Sequence, residues 1–141
     1  MTASTDFANL RVLQLNCRSF KSKVLEIRQV LEQEQISVAC LSETKTSASL
    51  SIDIPNYQIA CRIDDRTHGS LVLVRDNLAF ETIESFCTGQ GSEVLERTAM
   101  VLTTPSSKVT ICNIYNSPGR TLSPNEIIPP YYRLLSFDWR L

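Results

Sequence analysis

The apolar positions change their spacing along the chain, and each change marks a different element. Residues 10–16 form a short apolar run, Leu10, Val12, Leu13 and Leu15, that ends on the polar Asn16, as a buried strand emerging at its carboxyl end does. From 20 to 34 the interval becomes helical. Phe20, Val24, Ile27 and Leu31 fall on one side, with Glu26, Arg28, Gln29, Glu32 and Gln33 on the other, and Ser19 or Ser22 stands where a cap is needed. Residues 36–41 are again almost continuously apolar and run into Ser42, Glu43 and Thr44. Strand, helix, strand is a βαβ unit. Its crossover makes the two strands parallel and brings Asn16 and Glu43 to the same sheet edge.

Beyond Ser47 the helical period is lost. Short β-prone runs follow at 57–61, 70–74, 79–86, 94–103 and 108–115, separated by the breakers Asp64-Asp65, Asp76-Asn77, Gly89-Gln90-Gly91 and Pro105-Ser106-Ser107. These spacings predict antiparallel hairpins that extend the first sheet. After Pro118-Gly119 the chain is proline-rich and closes on an aromatic segment without clear periodicity. The expected organisation is a polar leader at 1–9, one domain at 10–119, and a proline and aromatic tail at 120–141.

Composition changes this picture little. With 141 residues, 43% of them hydrophobic, the chain is long enough for one core. A net charge of −1 gives no global field that would steer it toward nucleic acid. The five cysteines are odd in number and widely spaced, with no CxxC pair, so they read as reduced core thiols rather than a disulfide framework or a zinc site. No apolar run approaches spanning length, and residues 1–9 lack the pattern of a secretory signal, so the expectation is an intracellular chain, nuclear or cytoplasmic, with no membrane association.

An amide at the end of one parallel strand beside a carboxylate at the end of the next makes an oxygen-rich corner. Mg²⁺ suits such a corner, because it takes oxygen ligands and is commonly held by one or two carboxylates, waters and a substrate phosphate. The plain alternative is a polar strand end facing water. Words in the sequence add to the geometry. Leu15-Asn16-Cys17-Arg18-Ser19, the amphipathic helix, and Cys40-Leu41-Ser42-Glu43-Thr44-Lys45 follow one another in order. So do Ile54-Pro55-Asn56-Tyr57, the segment 62–74 with His68-Gly69-Ser70, and Cys112-Asn113-Ile114-Tyr115-Asn116-Ser117-Pro118.

This series resembles the endonuclease/exonuclease/phosphatase superfamily, and within it the apurinic-endonuclease-like domain of non-LTR retrotransposons. The resemblance covers about residues 10–119 and implies the first half of a four-layer α/β-sandwich (α+β type): one mixed β-sheet with an outer helix, its second sheet missing. It implies Glu43 as a direct ligand of Mg²⁺, with Mn²⁺ as an alternative, Asn16 as an organiser of the metal-water shell, and Tyr115 near the scissile phosphate of DNA. Arg18 and Lys45 would line a basic rim, with Lys21, Lys23, Arg62 and Arg66 nearby, against the alternative of solvated charges balanced by Glu26, Glu32, Asp64 and Asp65.

The resemblance also implies motifs of the types Gly-Asp-Phe-Asn and Ser-Asp-His, and neither occurs in these 141 residues. Asp138, in Phe137-Asp138-Trp139, lacks the neighbours of the first, and the single histidine, His68, is expected to be a surface turn residue. The expectation is therefore a retroelement-derived, catalytically incomplete hydrolase of DNA phosphodiester bonds. The alternative is a non-catalytic remnant or partner-binding protein. A lone sheet would leave its inner face uncovered and open to self-association.

Overall fold

In a computed structural model, the structure describes residues 9–103, 105 and 107–127. The leader as far as residue 8, and the tail from residue 128 with Asp138, lie outside the described residues. The elements are β1 (Val12–Asn16), α1 (Phe20–Gln33), β2 (Val38–Ser42), β3 (Tyr57–Ile63), β4 (Ser70–Arg75), β5 (Ala79–Thr88), β6 (Leu95–Thr103), β7 (Lys108–Asn116) and a one-turn α2 (Pro124–Ile127). All seven strands and the long helix fall where the hydrophobic pattern predicts them. α2 falls in the tail, where there was no period to read. Glu126 closes its first turn, the Oε1 accepting both the Ser123 N–H and the Ser123 hydroxyl at 3.0 Å.

The strands form two sheets. One is four-stranded in the order β1-β2-β4-β3, with β1 and β2 parallel and the other pairs antiparallel; the other is the antiparallel β5-β6-β7. The α+β class holds, whereas a single sheet with its partner missing does not. The reason is that β4 already pairs β2 on one edge and β3 on the other. After the turn at Asp76-Asn77 it has no free edge to offer β5, so the chain leaves the sheet and starts a second layer.

Strand parity accounts for the three layers. On β2 and β4, Ala39, Leu41, Leu71 and Leu73 face α1, where they pack with Phe20, Ile27 and Leu31. Val38, Cys40, Val72 and Val74 face the other way and pack with Met100 and Leu102 of β6, with Val109 and Ile111 of β7 behind them. Strands covered on both faces must be apolar throughout, which is why 36–41 and 70–74 read as continuous runs. Each fully buried leucine or valine contributes about 1.5–3 kcal/mol. A bulge in β3 between Ile59 and Cys61 lets two successive residues, Ala60 and Cys61, both join the inter-sheet layer.

The second sheet thus covers the inner face of the first over β2, β3 and β4, whereas on β1 the residues of that parity, Val12, Gln14 and Asn16, stay exposed. Cys17, Cys40 and Cys61 are buried free thiols as expected, but Cys87 and Cys112 are exposed, because parity turns Cys112 away from the layer that Ile111 and Asn113 enter. Among the described residues no helix is long and apolar enough to cross a membrane.

Candidate active site

The site forms where the carboxyl ends of β1 and β2 meet the start of β4. Asn16 is paired in register with Ser42, and Ser42 with Ser70, so Asn16, Glu43 and His68-Gly69-Ser70 share one edge of the first sheet. The ladder continues past the strands. The N–H groups of Cys17, Ser19 and Phe20 donate to the carbonyls of Ser42, Glu43 and Thr44 at 2.9, 2.9 and 2.8 Å. The buried Cys17 thiol adds a contact of 3.2 Å to the Ser42 carbonyl. Ser19 then caps α1, its hydroxyl accepting the Ser22 N–H at 3.4 Å. One segment therefore ends β1, starts α1 and braces the residue after β2.

Glu43 itself sits at φ 50°, with Lys45 at φ 52°, both in the left-handed region that L side chains avoid at a cost of about 1–3 kcal/mol. Bonds on the other flank hold that turn. Thr44 N–H donates to the Gly69 carbonyl at 3.3 Å and Lys45 N–H to the His68 carbonyl at 2.7 Å. Gly69 has φ 97°, and a Cβ there would stand 2.5 Å from the Thr44 Oγ1 and 3.1 Å from the Ile63 carbonyl. The single glycine of this hairpin stands where the two backbones approach most closely.

From the second sheet, β7 delivers Tyr115. Its hydroxyl donates to the Glu43 Oε1 at 3.0 Å, joining residues 72 apart in sequence. Burial, the bond to the Glu43 carboxylate and the charges of Glu43 and Glu96 push the phenol up to about 12. Asn113, two residues earlier on the same face, donates to the Leu41 carbonyl at 3.2 Å and fastens β7 over the end of β2. The structure thus brings Asn16, Glu43 and Tyr115 to one corner. Arg18 and Lys45 flank it as exposed side chains. Arg62 serves elsewhere, bonded to Asp64 at 2.7 Å and to the carbonyls of Ser47 and Leu50.

Three contributors escaped the sequence reading. His68 is half-buried rather than a surface residue. Its ring lies 5.7 Å from that of Tyr115, and its Nε2 is 3.0 Å from the Gly91 carbonyl, which requires the proton on Nε2; among the described residues its buried Nδ1 has no partner. Asp65 shapes the turn before it, one carboxylate oxygen accepting the N–H groups of Thr67 and His68, and the first of these bonds is the main reason its carboxyl is held low. Glu96 on β6 is fully buried, and accepts the Gly69 N–H and the Ser70 hydroxyl, both at 3.0 Å. Burial pushes its carboxyl up, against the lowering pull of those two bonds. The available signal was parity: 96 and 98 fall on the same face as Met100 and Leu102, so a carboxylate there enters the inter-sheet layer.

The donor set can be tested against a metal. The Glu43 carboxylate and the Asn16 amide supply oxygen only, both Glu96 oxygens are already used, and among the described residues no group of three or more His, Cys, Asp or Glu gathers. Such a corner lacks the ligand number of a structural zinc site. It fits a hard cation that keeps most of its waters, as Mg²⁺ does.

No family model matches the chain, and no curated protein matches it. Among solved structures, the crystal structure of the Xenopus laevis APE2 catalytic domain is similar at 19% identity and a TM-score of 0.45, over 75% of this chain and 44% of that one. The chain thus spans less than half the length of that domain.

Proposed function

We propose that this chain carries part of the site of a Mg²⁺-dependent endonuclease acting on DNA phosphodiester bonds, of the kind found in non-LTR retrotransposons. The observation that supports the reading is the Tyr115 hydroxyl on the Glu43 carboxylate at 3.0 Å, two residues from different sheets singled out for one task. Glu43 and Asn16 would hold the cation, and Tyr115 would stand beside the phosphate. A cation held there would supply Lewis-acid charge for phosphate-ester hydrolysis. The chain's own residues position it. The braced turn fixes Glu43, and Tyr115, protonated across the neutral range, is a hydrogen-bond donor to any oxyanion that displaces the carboxylate.

A general base and a catalytic histidine from the two motifs missing from these 141 residues would add factors of about 10²–10⁴ in rate. Hydrolysis by this chain alone is therefore slow, and binding is the sharper test. Wild-type protein should bind a duplex oligonucleotide more tightly in Mg²⁺ than in EDTA, and Glu43→Ala should erase the difference. Any plasmid nicking in Mg²⁺ should likewise exceed that of Glu43→Ala. Equal behaviour of the two proteins in both assays would overturn the reading.

A further inference from the structure

Among the described residues, Glu96 is a fully buried carboxylate of the inter-sheet layer with both oxygens engaged by the same short segment of the facing sheet, Gly69 N–H on Oε2 and Ser70 hydroxyl on Oε1. That segment in turn carries the carbonyls of His68 and Gly69, which hold the N–H groups of Lys45 and Thr44. Between those amides and the strand end lies Glu43, in a left-handed conformation it would leave if the bonds were slack. The ring of His68, from the same segment, lies against Tyr115, the hydroxyl partner of Glu43. One carboxylate thus reaches Glu43 through residues 68–70 and stands directly opposite Tyr115 in the β6–β7 register.

We propose that Glu96 is the positioning residue of this site, clamping residues 68–70 from the second sheet and so fixing the turn that aims Glu43. The proposal rests on the reading of Glu43 and Tyr115 as site residues. Buried hydrophobes in its place would close the layer equally well, so packing gives no reason for an ionisable group here. The clamp gives one. Two charge-assisted bonds to a backbone N–H and a hydroxyl hold a strained turn more firmly than apolar contact does. Gly69 is needed for the same reason, because a side chain there would push the clamped segment off Thr44.

Amide hydrogen exchange followed by NMR tests this without metal or nucleic acid, so its failure is separate from failure of the functional reading. Glu96→Asp shortens the arm while keeping the charge, and should speed exchange of the Thr44 and Lys45 amides about tenfold, the loss of one such bond. The central amides of Ala39 and Leu73 should stay unchanged. Glu96→Gln, whose amide can accept from Gly69 and donate to Ser70, should leave Thr44 and Lys45 within about threefold of wild type. Ser70→Ala, which removes one of the two bonds and keeps a small buried side chain, should move the same two amides by about tenfold as well and serves if the aspartate variant does not fold. Wild-type exchange at Thr44 and Lys45 in the aspartate or alanine variant, a uniform rise at all amides, or a glutamine variant as fast as the aspartate one would each overturn the proposal.

Discussion

The layer between the two sheets is apolar at one end and polar at the other, and the same two strands build both ends. Met100 and Leu102 on β6, with Val109 and Ile111 on β7, close over Val38, Cys40, Val72 and Val74. Two to four residues away on the same faces, Glu96 holds Gly69 and Ser70, Asn113 the Leu41 carbonyl and Tyr115 the Glu43 carboxylate. The first end gains its stability from area removed from water. At the second, Glu96 and Asn113 are held by named hydrogen bonds, while Thr44 Oγ1, Thr98 Oγ1 and His68 Nδ1 are buried without a hydrogen-bond partner among the described residues.

Substitutions can separate the two ends. The largest loss is expected at the apolar end, where Met100→Ala opens a cavity in fully buried surroundings and should cost about 2–5 kcal/mol in urea unfolding, leaving the Tyr115–Glu43 contact intact. Asn113→Leu should cost less, about 1–3 kcal/mol, because the Leu41 carbonyl loses a buried donor. Unlike Met100→Ala, it should loosen Tyr115 from Glu43, read as a downward move of the Tyr115 phenol from about 12 toward 10.

A pH effect of smaller size follows from the same phenol. Its proton is held more tightly in the folded chain than at the ordinary value of 10, so the folded state binds more protons between pH 10 and 12. The stability it contributes is complete below pH 10 and is lost as pH rises toward 12. Tyr115→Phe should flatten that part of the alkaline unfolding curve relative to wild type. Smallest in stability are Arg18→Ala and Lys45→Ala, both exposed, which should leave unfolding unchanged. Each should lower the salt slope of DNA binding by about one ion. An unaltered slope would move both residues out of the interface.

How much of this was legible follows from what period carries. The continuous apolar runs of β2 and β4 and the helical spacing of α1 reflect burial, so element positions could be read directly. Which sheet a strand joins depends on which edges are already taken, and the occupation of β4 by both β2 and β3 leaves no trace in the run 79–86. Asn16 and Glu43 could be placed together because a βαβ crossover dictates parallel strands. His68 and Glu96 could not, since their roles come from a contact between sheets that local spacing does not encode. Glu96 nevertheless stood out of pattern, a carboxylate on the parity of Met100 and Leu102, and a polar residue on a buried parity is the sign to look for.

Whether the polar end is a cation and phosphate site is tested most directly by adding Mn²⁺, in place of Mg²⁺, to isotope-labelled protein and following paramagnetic broadening by NMR. Saturable broadening centred on Asn16, Glu43 and Tyr115, absent in Glu43→Ala and sparing Met100 and Leu102, is the expected result. Broadening centred elsewhere, or equally strong in Glu43→Ala, would contradict the assignment of this corner as the site.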